Sequence, residues 1–413
     1  MTRMKESGID WIGQIPEEWE VDFVNHIFEE HKQKNKGNKE KNLLSLSYGR
    51  IIRKSIDTSF GLLPESFDTY NIIQRGDIVL RLTDLQNDKR SLRVGLAREN
   101  GIITSAYLTL RLKNICCSDS YMYYLLHTYD ICKVFYNFGG GVRQGGTWSD
   151  IYKMELLIPP KNEQQKIADF LDKKTAQLDK VKALLEEQIQ KLKDYRASLI
   201  YETVTKGLDK TVPMKDSGID WIGQVPQGWE MVKFKYFFNT SKGLSITKEC
   251  LVDEGIPVIN YGQIHSSMSK QVQSCDVRLP FVPDYYLSKK GANLNQGDFV
   301  FADTSEDLEG AGNFSTRIDS TGPLLAGYHT IIARLNNYDE YDFRYFMHLF
   351  DSLAIRKQIQ NKVSGIKVYS ITQGILNSIF VIIPPKSEQQ KIANLLDEKT
   401  AQIDKLVQIK NQQ

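Results

Sequence analysis

Apolar residues at Ile167, Leu171, Leu178, Val181, Leu185, Leu192 and Leu199 recur at alternating steps of four and three, with Lys174, Gln188 and Tyr195 completing the stripe. That spacing is the seam of a coiled coil, and it predicts one long helix over about 161–207. Charges of both signs (Lys173, Asp179, Lys182, Glu186, Glu187, Lys191, Lys193, Asp194) fill the other faces, as for a helix whose outer sides meet water. Ile158-Pro159-Pro160 ahead of it reads as a strand closed by a proline stop, because proline donates no backbone N–H and suits the first turn of a helix.

The same pattern returns later. Residues 383–405 match 158–180 at 18 of 23 positions, with seam residues Ile392, Leu396, Lys399, Ile403 and Leu406. A second pair of segments, MKESGIDWIGQIPEEW at 4–19 and MKDSGIDWIGQVPQGW at 214–229, is identical at 12 of 16. The glycines are expected to turn the chain, and the tryptophan of Gly-Ile-Asp-Trp to plug a hydrophobic joint. The order is therefore flanking segment, variable segment, helix, and then the same three again.

Between the flanks, short β-branched or alternating runs (77–82, 106–112, around Val300, 328–335, 378–383) predict strands. Apolar residues at three and four predict short helices over 120–135 and 342–360. The fold class is α+β: two similar globular domains joined by two long antiparallel coiled-coil helices, a pseudo-twofold tandem repeat. The boundaries read 1–160, 161–207, 208–385 and 386–413. A helix of about 45 residues would be a rod of roughly 65 Å. The second copy stops where the first reaches Gln188, so Leu192, Tyr195 and Leu199 are expected to lack partners from it.

At 413 residues with 41% hydrophobic and 25% charged content, the chain suits two globular units. No apolar run is long enough to span a bilayer and the N-terminus lacks a signal-peptide stretch, so a cytoplasmic protein is expected. Five cysteines form no CxxC pair, and six histidines form no recognisable group, so neither a disulfide framework nor a metal site is expected. Net charge is only +2; nucleic-acid binding would depend on basic residues gathering on one face.

The two variable segments differ at matching places. Arg50 stands against Gln263; 81–98, with Arg81, Arg90, Arg93 and Arg98, against 302–317; and 139–148, with Arg143 and Gln144, against 362–369, with Lys362, Lys367 and Tyr369. Arginine, lysine and glutamine reach phosphates and base edges, so these residues other than Arg98, with Arg53 and Lys242, are the DNA-binding candidates. Each also has a plain reading as a solvated surface charge, and Gly139-Gly140-Gly141 opens no Walker-type loop. The motifs of dinucleotide binding, zinc hydrolysis and nucleophilic serine catalysis are missing from the sequence, as is the Asn/Asp-Pro-Pro-Tyr site of amino methylation.

The tandem order, IPPKxEQQKIA(D/N)xLD and GIDWIGQ(I/V)PxxW together resemble the DNA specificity subunits of type I restriction–modification systems. The resemblance implies two target recognition domains, each reading half of a bipartite double-stranded DNA sequence, and conserved spacer helices that set the gap. It implies two methyltransferase subunits and restriction subunits as partners. It implies no catalysis and no cofactor in this chain, with S-adenosylmethionine, ATP and Mg belonging to the partners. The alternatives are a coiled-coil scaffold with peptide- or RNA-binding domains, and an enzyme with an unrecognised active site.

Overall fold

The structure, a computed structural model, describes residues 3–54, 66–85, 90, 92–113, 116–137, 145–266, 270–365 and 368–412. The chain divides into two compact units, 1–181 and 182–413, with the division inside the long helix Lys161–Lys206. That helix and the second one, Lys386–Gln412, lie where the apolar seam predicts them.

In unit 1 the strand that enters, Glu20–Phe23, pairs antiparallel with the strand that leaves, Glu155–Ile158. Between them lies a four-stranded antiparallel sheet in the order Phe28–Glu30, Leu108–Leu112, Ile78–Leu80, Val94–Leu96. The helix Asp119–Ile131 packs on it through Met122 and Leu126, burying a core with Phe28, Ile78, Leu110 and Phe135. Unit 2 repeats the plan. Glu230–Lys233 pairs with Phe380–Ile383, and the sheet runs Phe238–Lys242, Thr330–Leu335, Phe299–Ala302, Phe314–Arg317, with Gln271–Val272 added at its edge in parallel. Its core is richer in aromatic rings: Phe238, Phe299, Phe346 and Phe350 meet at centroid distances of 4.9–5.8 Å, within the range where edge-to-face contacts add to burial. The sequence predicts one helix over 342–360; the chain instead breaks at Ser352, in extended backbone, into Phe343–Asp351 and Leu353–Gln360.

In the sequence a Gly-Asp pair, Gly76-Asp77 and Gly297-Asp298, stands at matching places as a turn opening into a strand. Gly76 and Gly297 have φ of +96° and +85°, and the aspartate after each is buried at the turn. Asp77 accepts Gln74 N–H at 2.7 Å and a two-pronged Arg111 guanidinium at 2.8 and 2.7 Å. Asp298 accepts Asn295 N–H at 2.7 Å and Arg334 at 2.9 and 2.6 Å. A buried carboxylate is tolerable only when its lone pairs are taken up this way.

The repeated motifs bind each other. Trp19 Nε1–H donates to Glu163 Oε2 at 2.9 Å, and Trp229 Nε1–H to Glu388 Oε2 at 2.9 Å. Next in each motif, Gln164 donates to Pro159 O at 2.8 Å and accepts Ser118 N–H at 2.9 Å. Gln389 donates to Pro384 O at 2.8 Å and accepts Asp342 N–H at 3.1 Å. Ser118 and Asp342 are the N-caps of matching helices, so the Glu-Gln pair ties the spacer helix to the last tryptophan of one motif and to a helix start. The expectation that the Gly-Ile-Asp-Trp indole is buried is overturned: Trp11 and Trp221 are 43% and 41% exposed, whereas Trp229 is 2% exposed. The indole that plugs the joint sits eight positions later, after the proline.

Within unit 2 the two helices run antiparallel. Lys410 Nζ donates to Gln188 Oε1 at 2.6 Å and Arg196 Nε lies 3.3 Å from Asp404 Oδ1, so one numbering falls as the other rises. Ile200, Val204, Ile392, Leu396 and Ile403 are buried there, and Leu199 packs against the same core. This corrects the expectation that Leu192, Tyr195 and Leu199 lack partners: Leu192 and Leu199 are half-buried and only Tyr195 stays exposed. Antiparallel pairing brings this stretch against the later half of the second helix. The open part of the seam is instead Leu178 and Val181, 70% and 53% exposed.

Candidate nucleic-acid interface

In unit 2 the three stretches in which the repeats differ converge. The first is the helix Tyr261–His265, whose capping box has Gln263 accepting the Asn260 N–H at 3.1 Å. The second is the turn that follows Thr304–Ser305. The third is Tyr369–Ser370, which pairs antiparallel with that strand in the register Thr304↔Ser370 and Ser305↔Tyr369. Together they enclose a cleft of about 860 Å³ lined by Tyr261, His265, Glu306, Asp307, Asn313 and His329 among others.

The hydrogen bonds fix the cleft's chemistry. Arg356 Nη1 donates to Asn313 Oδ1 at 3.0 Å, which leaves the Asn313 amide to donate to His265 Nδ1 at 3.1 Å. His265 Nε2–H then donates to Thr304 O at 2.7 Å, the tautomer that carries its proton on Nε2. The Tyr261 ring stands 5.4 Å from His329 and 5.8 Å from Tyr328, and His329 Nδ1 is 3.1 Å from Asp303 Oδ1. Acceptor oxygens beside aromatic planes suit exocyclic amino groups and base faces, while carboxylates repel phosphates.

Gln263 and Tyr369 lie on elements that border the cleft but neither is among its lining residues, and Gln263 spends its side-chain oxygen on the helix start. Lys242, exposed on the strand end opposite Ile331, and Lys362, exposed after Gln360, are not among the lining residues. Arg143, Gln144 and Lys367 lie outside the described residues, as does the triple glycine. In unit 1 the sequence-predicted arginines turn inward to their own unit. Arg50, beyond a turn at Tyr48 and Gly49 with φ of +46° and +76°, grips Asp179 of the long helix at 2.6 and 2.7 Å. Arg98 reaches Asp172 at 3.1 Å, and Arg53 holds Glu99 at 2.9 and 2.8 Å. Arg93 is fully buried: it donates to the carbonyls of Arg81, Thr83 and Asp84 and to Tyr136 Oη. Its guanidinium holds a loop together from inside, which corrects its assignment as a DNA contact. Arg81 is half-buried with its backbone in the same knot, and Arg90 is exposed.

Sequence reasoning sought cations and so passed over Tyr261, His265, Glu306, Asp307, Asn313 and His329. His265 and His329 share a cleft, although the six histidines form no pattern along the chain; among the described residues no cluster could hold a metal ion. Their signal was position: Tyr261, His265, Glu306, Asp307 and Asn313 fall in or beside the stretches where the repeats diverge, and only His329 lies apart from them.

A family model for the type I restriction modification DNA specificity domain matches residues 16–193 and again 226–412. The chain is 23% identical over 422 residues to the type I restriction enzyme MjaVIII specificity subunit of Methanocaldococcus jannaschii, covering 97% of this chain and 89% of that protein. It is also 23% identical to the putative MjaX specificity subunit of the same organism, over 97% and 90%. A solved chain from work on complex assembly and conformational transition of a type I R-M system superposes with a TM-score of 0.66 at 14% identity, covering 96% of this chain and 94% of that one. With two matched repeats framing two variable segments on one scaffold, this chain belongs to the type I restriction modification DNA specificity domain family.

Proposed function

We propose that the chain is the sequence-reading subunit of a type I restriction–modification complex, each unit recognising one half of a two-part double-stranded DNA target. The observation that carries this is the convergence in unit 2: the Trp-Glu clasp repeats that of unit 1, and residues from the diverging stretches line one cleft. The long helices would set the unread gap and dock two methyltransferase subunits, with restriction subunits joining them. Methyl transfer and cleavage, with S-adenosylmethionine, ATP and Mg, would belong to those partners. Among the described residues no helix is long and apolar enough to cross a membrane, in keeping with a DNA-facing role.

The test is to co-express the chain with a cognate methyltransferase subunit and sequence the host DNA for methylated adenine. A two-part motif with a fixed gap is expected, and Tyr261→Ala or Asp307→Asn should relax one half of it while leaving the other intact. Equal loss at both halves would demote the cleft. Absence of any complex or of salt-sensitive duplex binding would favour the scaffold reading.

A further inference from the structure

Residues 31–43 and 243–255, equal in length, occupy the same place in the two units. Each links the first strand of the main sheet, Phe28–Glu30 or Phe238–Lys242, to the next strand, Leu44–Ser47 or Ile256–Ile259. The first link holds five lysines against one glutamate; the second holds one lysine against Glu249, Asp253 and Glu254. The unit 1 link is pinned down. Asn35, fully buried, donates to Glu40 O and accepts Glu40 N–H, both at 3.0 Å. Asp68 accepts the N–H groups of Gly37 and Asn38 at 2.8 and 3.0 Å, and Glu40 Oε1 those of Lys41 and Asn42 at 2.9 Å. Lys34 donates to Thr69 O and Asn71 Oδ1 at 3.0 Å. The two carboxylates in this knot thus serve its backbone, while Lys36, Lys39 and Lys41 stand exposed with no ion pair among the described residues. Lys54 joins them, exposed and likewise unpaired, with its N–H on Leu43 O at 2.9 Å. It follows the open end of the hairpin Leu44–Ser47/Arg50–Arg53, whose turn end meets the long helix through Arg50.

We propose that this face of unit 1 is a phosphate-backbone site, where Lys36, Lys39, Lys41 and Lys54 hold a DNA duplex by charge without reading its bases. The inference rests on the reading role above and assigns the sequence-independent part of the affinity to one unit. Other cations are spent. Arg50, Arg98 and Arg53 are held by Asp179, Asp172 and Glu99, and Arg93 by loop carbonyls. The unit 2 cleft carries Glu306 and Asp307, which repel phosphates. A lysine ammonium is a compact charge on a flexible stem; it suits phosphate oxygens better than the forked pattern of a base edge. A tied-down link presents its lysines without the cost of ordering backbone on binding.

A labelled duplex of random sequence, titrated with the full chain at several salt concentrations, tests the site. The slope of log K against log salt loses about 0.9 for each phosphate contact removed. Lys36→Gln, Lys39→Gln and Lys41→Gln together should lower its magnitude by about three, and Lys54→Gln by about one more. Arginine at the same positions should restore it. Replacing three exposed lysines of unit 2, Lys248, Lys289 and Lys290, by glutamine should leave it unchanged. In the co-expressed complex, the methylated motif of the lysine variant should keep its bases in both halves. An equal fall in the unit 2 control, or a changed base preference, would overturn the site. An unchanged slope joined to loss of the methyltransferase complex would overturn it too, giving the face to an acidic protein surface. An unaltered chain without any salt-dependent binding would sink the reading role itself, whereas a normal slope that the lysine variants leave untouched sinks this site alone.

Discussion

Leu178 and Ile403 occupy the same position in the two copies of one helix, yet one is largely in water and the other is core. The pair shows that a near-identical sequence fixes the helix and its anchoring but not its burial. Burial depends on what crosses it, and in unit 2 this is the later half of the long helix. The anchoring aspartates tell the same story. Asp397 takes His348 at 2.8 Å and Arg344 at 3.3 Å, and Asp172 takes the Tyr124 hydroxyl at 2.8 Å and Arg98 at 3.1 Å. Asp404 takes Arg196 of the covering helix, whereas Asp179 takes Arg50 of its own domain. Each carboxylate is satisfied, but by whichever donor the local cover provides.

The strongest way to break this comparison is at the clasp. Trp229→Ala should cost unit 2 about 3–5 kcal/mol, the range for a fully buried aromatic. Trp19→Ala, from a half-buried site with the same hydrogen bond, should cost unit 1 clearly less; denaturant unfolding read by exchange in each unit would show it, and equal losses would mean the cover is irrelevant. Next, Ile403→Ala should cost about 2–4 kcal/mol while Leu178→Ala stays within about 0.5 kcal/mol.

Acid should separate the units. Burial disfavours the charged form of Asp351, but Lys270 and Arg196 hold its carboxyl below the usual range. Its contribution is present above the ordinary carboxylate value and is lost only as pH falls through the lowered one. His127, nine positions beyond its N-cap as Asp351 is beyond its own (127 − 118 = 351 − 342), has its imidazole pushed down by burial against the pull of Asp130. The unfolded chain therefore takes up the proton first, and unit 1 should lose stability as pH falls below about 6.5. Protection against amide exchange, corrected for the intrinsic pH dependence of exchange, should fall in unit 1 between about pH 7 and 5 and hold in unit 2, and His127→Gln should flatten the unit 1 response. The smallest effect is expected for Arg50→Ala, an exposed ion pair: under about 1 kcal/mol, with exchange near Asp179 as the readout.

Much of this frame was legible in the sequence because it rests on strong local signals: the Ile-Pro-Pro stops, the four-three seam and the Gly-Asp turns. The direction of pairing was legible too, but not which half of the seam it leaves open, since that follows from where the second helix lies. Burial of individual charges was not legible. Arg93 and Arg98 look alike in the chain, yet one is sealed among loop carbonyls and the other sits on the helix. Nor does spacing reveal that Tyr261, Asp307 and His329 meet, because their meeting depends on the pairing of Thr304–Ser305 with Tyr369–Ser370.

The strand that begins each variable segment lies hydrogen-bonded to the strand that ends it. In genetic terms the segment is a cassette with both ends at one doorway, and the amino-acid flanks on either side match between the copies at 12 of 16 and 18 of 23 positions. Recombination between such flanks would deliver a new reading surface with entry strand, exit strand and clasp already fitting. A lineage could thus change what this protein recognises in a single exchange, without passing through an unfolded intermediate sequence.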